Sequence, residues 1–203
     1  KKRIETYFDP LPFYYEPLES HVTDKHKYPL AAVTQRPMAM YHSWDSQNAW
    51  LRQIHNQNPL YLNPRLARAH GIEDGGWMWV ESQWGRVRCQ ASYSEAVEPG
   101  TVWTWNAIGK APGAWGLAPD ANESRRGFLL NHLISEELPG DGDEGTVSNS
   151  DPVTGQAAWY DVRVRIYRAA DDEPAQPSPQ FEAVPAAPGT KAAHRPRTLA
   201  WFA

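Results

Sequence analysis

One cysteine, Cys89, is all the thiol that 203 residues hold. That excludes an internal disulfide framework, a multi-cysteine zinc site and a self-contained iron–sulfur cluster. Histidine does not fill the gap. The seven histidines are scattered with no local pair at ligand spacing, so no residue is assigned to a metal. Excess positive charge is missing too: a net charge of −4 offers no basic stripe for phosphate neutralisation, which argues against a nucleic-acid partner. No apolar run approaches the roughly 18 residues that a bilayer demands, so no direct membrane span is expected. No signal peptide is visible. The chain starts Lys1-Lys2-Arg3 without a methionine, which reads as a processed product or, preferably, as a piece of something larger.

What the chain does carry is aromatic surface and turn formers. Ten tryptophans are several times the usual complement, and 18 prolines with 14 glycines favour many turns over long helices. Fourteen arginines against six lysines suit planar recognition of carboxylate or phosphate, although codon bias gives the same ratio. The organisation reads as three parts. Residues 1–27 lack a hydrophobic period and alternate aromatics with prolines from Tyr7 to Tyr15, as an extended N-terminal arm would. Residues 169–203, with six prolines and ten alanines, read as a linker or wrapping tail. Both arms are expected to cross the surface without cores of their own.

The middle, 28–168, reads as mainly β with short helices, an α+β composition. Strands are expected at Leu30–Thr34, Leu60–Leu62, Trp77–Gln83, Arg86–Tyr93, Thr101–Trp105 and Trp159–Arg168. Asn63-Pro64 supplies an N-cap and a first-turn proline, and Gly71 the stop, for a helix of about two turns. Ser43 is placed as the cap of another helix running through Trp44, Leu51 and Ile54. Short strands with a turn signal about every ten residues favour a small barrel over layers.

Chemistry concentrates in Thr34–Ser43. A strand end with Thr34 and Arg36 is followed by a loop that returns to His42-Ser43 at a helix start. Free N–H groups at a helix start together with a guanidinium suit a phosphate or pyrophosphate. The plainer alternative is that Ser43 is an ordinary cap, the commonest use of such a serine, and Arg36 a solvated surface charge. Asn131, inside the apolar run Gly127–Ile134, either bridges loops or reads the edge of a heterocycle. Gln156, before the last strand, poses the same choice. Trp77/Trp79 and Trp103/Trp105 each project to one strand face, as a stacking platform or as packing.

The ordered pattern resembles a known domain. Its parts are Pro29–Thr34, Arg36, His42-Ser43, Leu62-Asn63-Pro64, Gly71-Ile72-Glu73-Asp74-Gly75, Val80-x-Ser82-x-x-Gly85-x-Val87, Pro99-Gly100-x-Val102, Asn131-x-Leu133 and Asp151-Pro152-x-Thr154-Gly155. Over about 28–168 it is similar to the C-terminal dinucleotide-binding domain of dimethyl-sulfoxide-reductase-type molybdopterin oxidoreductases. Departures are Gly76 in place of a common aspartate, the aromatic strand Trp103–Trp105 and a long loop at 106–126.

The resemblance implies a double-psi β-barrel that helps clamp a molybdopterin guanine dinucleotide carrying molybdenum. It implies contacts at Thr34, Arg36, His42, Ser43 and Asn131, with Gln156 a weaker carry-over. It implies that the metal ligand and other catalytic residues lie in the remaining catalytic domains or subunits, and iron–sulfur clusters there or in an electron-transfer subunit. Around Ser43–Arg52 the chain is similar to the branch handling sulfite, thiosulfate or polysulfide. The expected setting is cytoplasmic or periplasmic, with the cytoplasm favoured. Two rivals are a noncatalytic carbohydrate-binding module built on tryptophans and a pure assembly subunit. The first accounts for the aromatic count but not for the Thr34–Ser43 and Asn63–Gly75 patterns.

Overall fold

Residues 30–33, 60–62, 101–105 and 162–167 alternate between buried and half-buried positions, as strands with one face on a core do, whereas 78–81 and 87–89 are buried on both faces. The computed structural model describes residues 2–14, 16–41, 48–55, 57–106, 128, 130–139, 146–151, 153–156, 162–170 and 181–183. Six strands close on themselves: β1 (Leu30–Gln35), β2 (Leu60–Leu62), β3 (Trp77–Glu81), β4 (Gly85–Tyr93), β5 (Thr101–Trp105) and β8 (Val162–Arg168). Their order is β2-β5-β1-β8-β3-β4, and β4 returns to β2. Closure depends on the length of β4, whose residues 86–90 pair with β3 while 91–93 pair with β2. The β1–β5 and β2–β4 pairs are parallel, and the others in the ring are antiparallel. This is the mainly β, six-stranded barrel with few short helices expected from the sequence.

Inward side chains make one core. Ala32, Leu60, Leu62, Met78, Val80, Val87, Val102, Val162 and Val164 are among its buried members. Cys89 is one of them, and burial pushes its thiol far above the ordinary range, so it is not a nucleophile. A hairpin of β6 (Glu137–Pro139) and β7 (Thr146–Ser148) lies outside the ring.

The flanking segments are less plain than their composition. Residues 1–27, expected as an extended arm, contain α1 (Lys2–Tyr7) and α2 (Leu18–Val22). The second helix is seated on the barrel: Glu19 is buried and accepts a hydrogen bond from the Trp84 indole at 3.2 Å. Thr23 likewise accepts from Gln83 at 2.8 Å. At the other end, Ala169 continues the sheet through its N–H to the Trp77 carbonyl, and Phe181–Ala183 forms an edge strand, β9, on β4.

Strand directions sort the molecule into two ends. The C-terminal ends of β1, β3 and β5 and the N-terminal ends of β2, β4 and β8 lie together. The opposite end holds α4 (Pro64–Ala69), where Asn63 caps the helix by accepting from the Arg65 N–H at 2.9 Å and also donates to the Val97 carbonyl at 2.9 Å. Gly71 follows at φ 63°, the left-handed conformation that ends a helix and that glycine adopts without strain. Asn63→Ala removes both bonds and should cost about 1–2 kcal/mol. Thermal melting should fall while cofactor content of the intact parent stays unchanged; steep cofactor loss without destabilisation would contradict this placement.

On the outer face of β3–β4–β8, Glu81 accepts from Arg165 at 2.7 Å and from the Tyr167 hydroxyl at 2.9 Å. Arg86 lies over the Trp79 ring at 4.2 Å. Burial, followed by the Glu81 contact, raises the Tyr167 pKa, partly offset by Arg86. A phenol whose folded pKa is raised resists ionisation that the unfolded chain undergoes. Its contribution is therefore complete below about pH 10 and is lost as pH rises through the folded value. Melting temperature should fall more steeply above that pH in the native protein than in Tyr167→Phe; identical profiles would exclude Tyr167.

Candidate functional site

β1 ends in Thr34-Gln35 and passes Arg36 into the loop beyond. Thr34 sits opposite Thr104 in parallel register, and Gln35 opposite Trp105. The pairing continues one step, with the Asn106 N–H donating to the Gln35 carbonyl at 2.9 Å. Arg36 is exposed and forms no hydrogen bond or ion pair with a described residue. Among the described residues its fork is uncommitted at the rim of the barrel.

Asn58 organises this end. It is almost wholly buried, and its amide donates to the Trp105 carbonyl at 3.0 Å and to the Phe128 carbonyl at 2.9 Å. Its oxygen accepts from the Thr104 hydroxyl at 2.8 Å and the Trp105 N–H at 3.2 Å. One side chain thus ties the start of β2, the end of β5 and the approach to the Leu130–Leu133 3₁₀ turn. The turn is fixed from its other side by Ser82, whose hydroxyl donates to the Leu133 carbonyl at 2.7 Å. Since Ser82 lies in the β3–β4 turn, this brings Asn131 to the same end as Arg36. The Asn131 side chain is exposed and unbonded among the described residues, so it does not bridge loops there. Beside it, burial lowers the His132 pKa and favours the neutral imidazole.

Gln156 is exposed and belongs to the turn opened by Asp151, whose carboxylate accepts from the Val153 and Thr154 N–H groups. Residues 157–161 between it and β8 lie outside the described residues, as do His42 and Ser43. The first part of the helix placed from Ser43, through residue 47, also lies outside the described residues; beyond it α3 covers Ala49–Arg52, capped by Asn48, which accepts from the Trp50 and Leu51 N–H groups. The acidic stretch Asp141–Glu144 and nearly all of the 106–126 loop are also outside the described residues.

Sequence reasoning missed two features of this end. Asn58-Pro59 before a short apolar strand was the available signal for the first, because a polar residue at a strand mouth must find partners once buried. The second is polar demand left open: the Trp105 indole nitrogen and the Asn106 side-chain oxygen are buried without a hydrogen-bond partner among the described residues. The barrel tryptophans Trp79, Trp103 and Trp105 serve packing. Trp103 stacks on Tyr61 at 4.1 Å, Trp105 meets Trp103 edge-on at 4.8 Å, and Trp79 is buried. Among the described residues no group of histidine, cysteine or carboxylate side chains could hold a metal ion. No helix among the described residues is long and apolar enough to cross a membrane.

Comparison with known proteins meets this geometry. A family model described as "Molydopterin dinucleotide binding domain" matches residues 30–144. A sulfite dehydrogenase subunit of Allochromatium vinosum is 68% identical over 93% of this chain, which spans 20% of that protein. Dopamine dehydroxylase of Eggerthella lenta is 28% identical over 87% of the chain, here 16% of the relative. Among solved structures, acetylene hydratase from Pelobacter acetylenicus matches 81% of the chain at 24% identity with a TM-score of 0.55, a likeness of fold.

Proposed function

Because the chain belongs to the molybdopterin dinucleotide-binding domain family, we propose that it holds the molybdopterin guanine dinucleotide of a larger molybdenum oxidoreductase acting on sulfite. The observation that carries the substrate is the 68% identity to a sulfite dehydrogenase subunit over nearly the whole chain. Thiosulfate and polysulfide are the competing substrates of the same class. The carbohydrate-binding alternative finds no support, since the tryptophan pairs are engaged in packing.

The donor set fits the cofactor. Arg36 offers a planar cation for a pyrophosphate, while Asn131, Gln156 and Thr34 offer neutral groups for sugar and base edges. The donor at Trp105 and acceptor at Asn106, unmet among the described residues, lie at the same strand end. His42 and Ser43 are proposed to join them from the loop beyond Arg36. When bound, the cofactor supplies a two-electron redox centre at its metal; the chain binds and orients the dinucleotide and contributes no metal ligand.

Oxidation of sulfite to sulfate takes an oxygen atom from water and releases two electrons and two protons. An acceptor is therefore required, and an iron–sulfur electron-transfer subunit is the partner we assign, together with the remaining domains of the catalytic subunit. Residues 1–27 and the tail after the barrel are proposed to lie against those domains, consistent with exposed Phe8, Leu11, Phe13 and Tyr14.

The test is turnover by the purified full-length parent with sulfite, thiosulfate and polysulfide under an artificial acceptor. Sulfite is expected to give the highest kcat/KM. Turnover on a different substrate class with none on sulfite would overturn the assignment.

A further inference from the structure

The turn that presents Asn131 is joined by a line of hydrogen bonds to the helix that seats the first arm. The line begins at Glu19 of α2, a buried carboxylate that accepts from the Trp84 indole at 3.2 Å. The Trp84 backbone N–H donates to the Ser82 hydroxyl oxygen at 3.1 Å. That hydroxyl is wholly buried and donates to the Leu133 carbonyl at 2.7 Å. Leu133 ends the Leu130–Leu133 turn, and the Ile134 N–H just beyond it donates back to the Asn131 carbonyl at 3.3 Å. A second bond ties the same β3–β4 turn to the arm: Gln83 donates to Thr23, the residue after α2, at 2.8 Å.

Ser82 spends its hydrogen and a lone pair inside the chain and, being wholly buried, presents nothing to a ligand. Its effect on a ligand has to pass through what it holds. A buried hydroxyl between two backbone groups resists displacement, because shifting either group leaves the other unpaired away from water. The turn is thereby pinned at two points by different parts of the fold, Asn58 at the Phe128 carbonyl and Ser82 at the Leu133 carbonyl. Asn131 lies between the two pins.

We propose that Ser82 and Trp84 are positioning residues for the dinucleotide, and that the seating of α2 on Trp84 sets where the Asn131 side chain meets it. The inference rests on the cofactor-binding reading and goes beyond it by making the first arm and the site one hydrogen-bonded body. Arg36 stands outside this line. It follows β1, which pairs with β5 and β8 and not with the β3–β4 turn. The two halves of the site therefore answer differently to a change at Ser82 or Trp84, and that difference can be measured.

The experiment counts guanine nucleotide per chain after gel filtration of the full-length parent, with melting of the apoprotein alongside. Trp84→Phe keeps a ring and removes the indole N–H, while Ser82→Ala removes the link to Leu133. Each is expected to lower retained nucleotide on the order of fivefold. Added to Asn131→Ala, neither should lower it further, because both act through that side chain. Added to Arg36→Ala, each should multiply the loss. Glu19→Gln keeps an acceptor oxygen for the indole and should retain more nucleotide than Glu19→Leu.

A general loosening of the barrel would instead multiply the loss in Asn131→Ala as well, and that result overturns the proposal. Native retention in both Trp84→Phe and Ser82→Ala, beside loss in Asn131→Ala, also overturns it and leaves the binding reading standing. Native retention in Asn131→Ala takes away the proposal together with that residue's part in the site. Should Ser82→Ala fail to fold, the same comparison is made with Trp84→Phe, which leaves the Ser82 bonds in place. Absence of guanine nucleotide from the native parent removes the proposal and the binding reading together.

Discussion

Arg36→Ala in the full-length parent should lower retained cofactor ten-fold or more while leaving the melting temperature of the apoprotein unchanged. The two expectations have one origin. Arg36 is exposed at the end of β1 and is bonded to no described residue, so its truncation removes no described contact of the fold. A pyrophosphate oxygen loses a charge-assisted hydrogen bond, which contributes about 1.5–3 kcal/mol and corresponds to a tenfold or greater change in affinity. Arg36→Lys should recover only part of the loss, because lysine keeps the charge but not the planar fork. Molybdenum and guanine-nucleotide content of gel-filtered enzyme reads the effect. Full occupancy in Arg36→Ala would remove this residue from the site.

Asn58→Ala should act in the other direction, through the scaffold. The native amide makes four hydrogen bonds with described residues and is almost wholly buried. Truncation leaves the Trp105 N–H and carbonyl, the Phe128 carbonyl and the Thr104 hydroxyl to find other partners. The Thr104 hydroxyl retains an alternative in the Pro59 carbonyl at 3.1 Å. We expect a loss of about 3–4 kcal/mol, or roughly 10 °C in melting temperature. Asn58→Asp should not rescue, since it keeps the acceptor, loses both donors and buries a charge. Cofactor retention should fall as well, because the end of β5 and the Asn131 turn lose their common tie. A melting temperature within about 1 °C of the native protein would contradict this role.

Most of the barrel was legible in the sequence because its signals are local. Thr101–Trp105 and Leu60–Leu62 are bounded by turn formers and occur where expected. Asn63, Pro64 and Gly71 punctuate a helix through their own backbone chemistry, and the structure places the cap and the positive φ at those residues. What escaped depends on distant partners. Asn58 owes its importance to residues 46 to 70 positions away, and no local pattern announces that. Asn131 sits in an apolar run yet is exposed, because the 3₁₀ turn buries Leu130 and Leu133 and turns Asn131 outward. The helix Ala49–Arg52 is capped by Asn48, a local signal that the sequence reading passed over in favour of Ser43. Lack of period alone suggests an extended first arm, and it conceals a short helix held by Glu19 on the Trp84 indole.

The site's position at one end of the barrel can be read directly by hydrogen exchange on the full-length parent, comparing apoprotein from cofactor-deficient cells with the loaded enzyme. Protection gained on loading should concentrate at residues 34–41, at 105–106 and at 130–133, while the α4 end around Asn63 and Gly71 stays unchanged. Protection confined to the α4 end, or none at 34–41 and 130–133 in enzyme that carries the guanine nucleotide, would contradict the account.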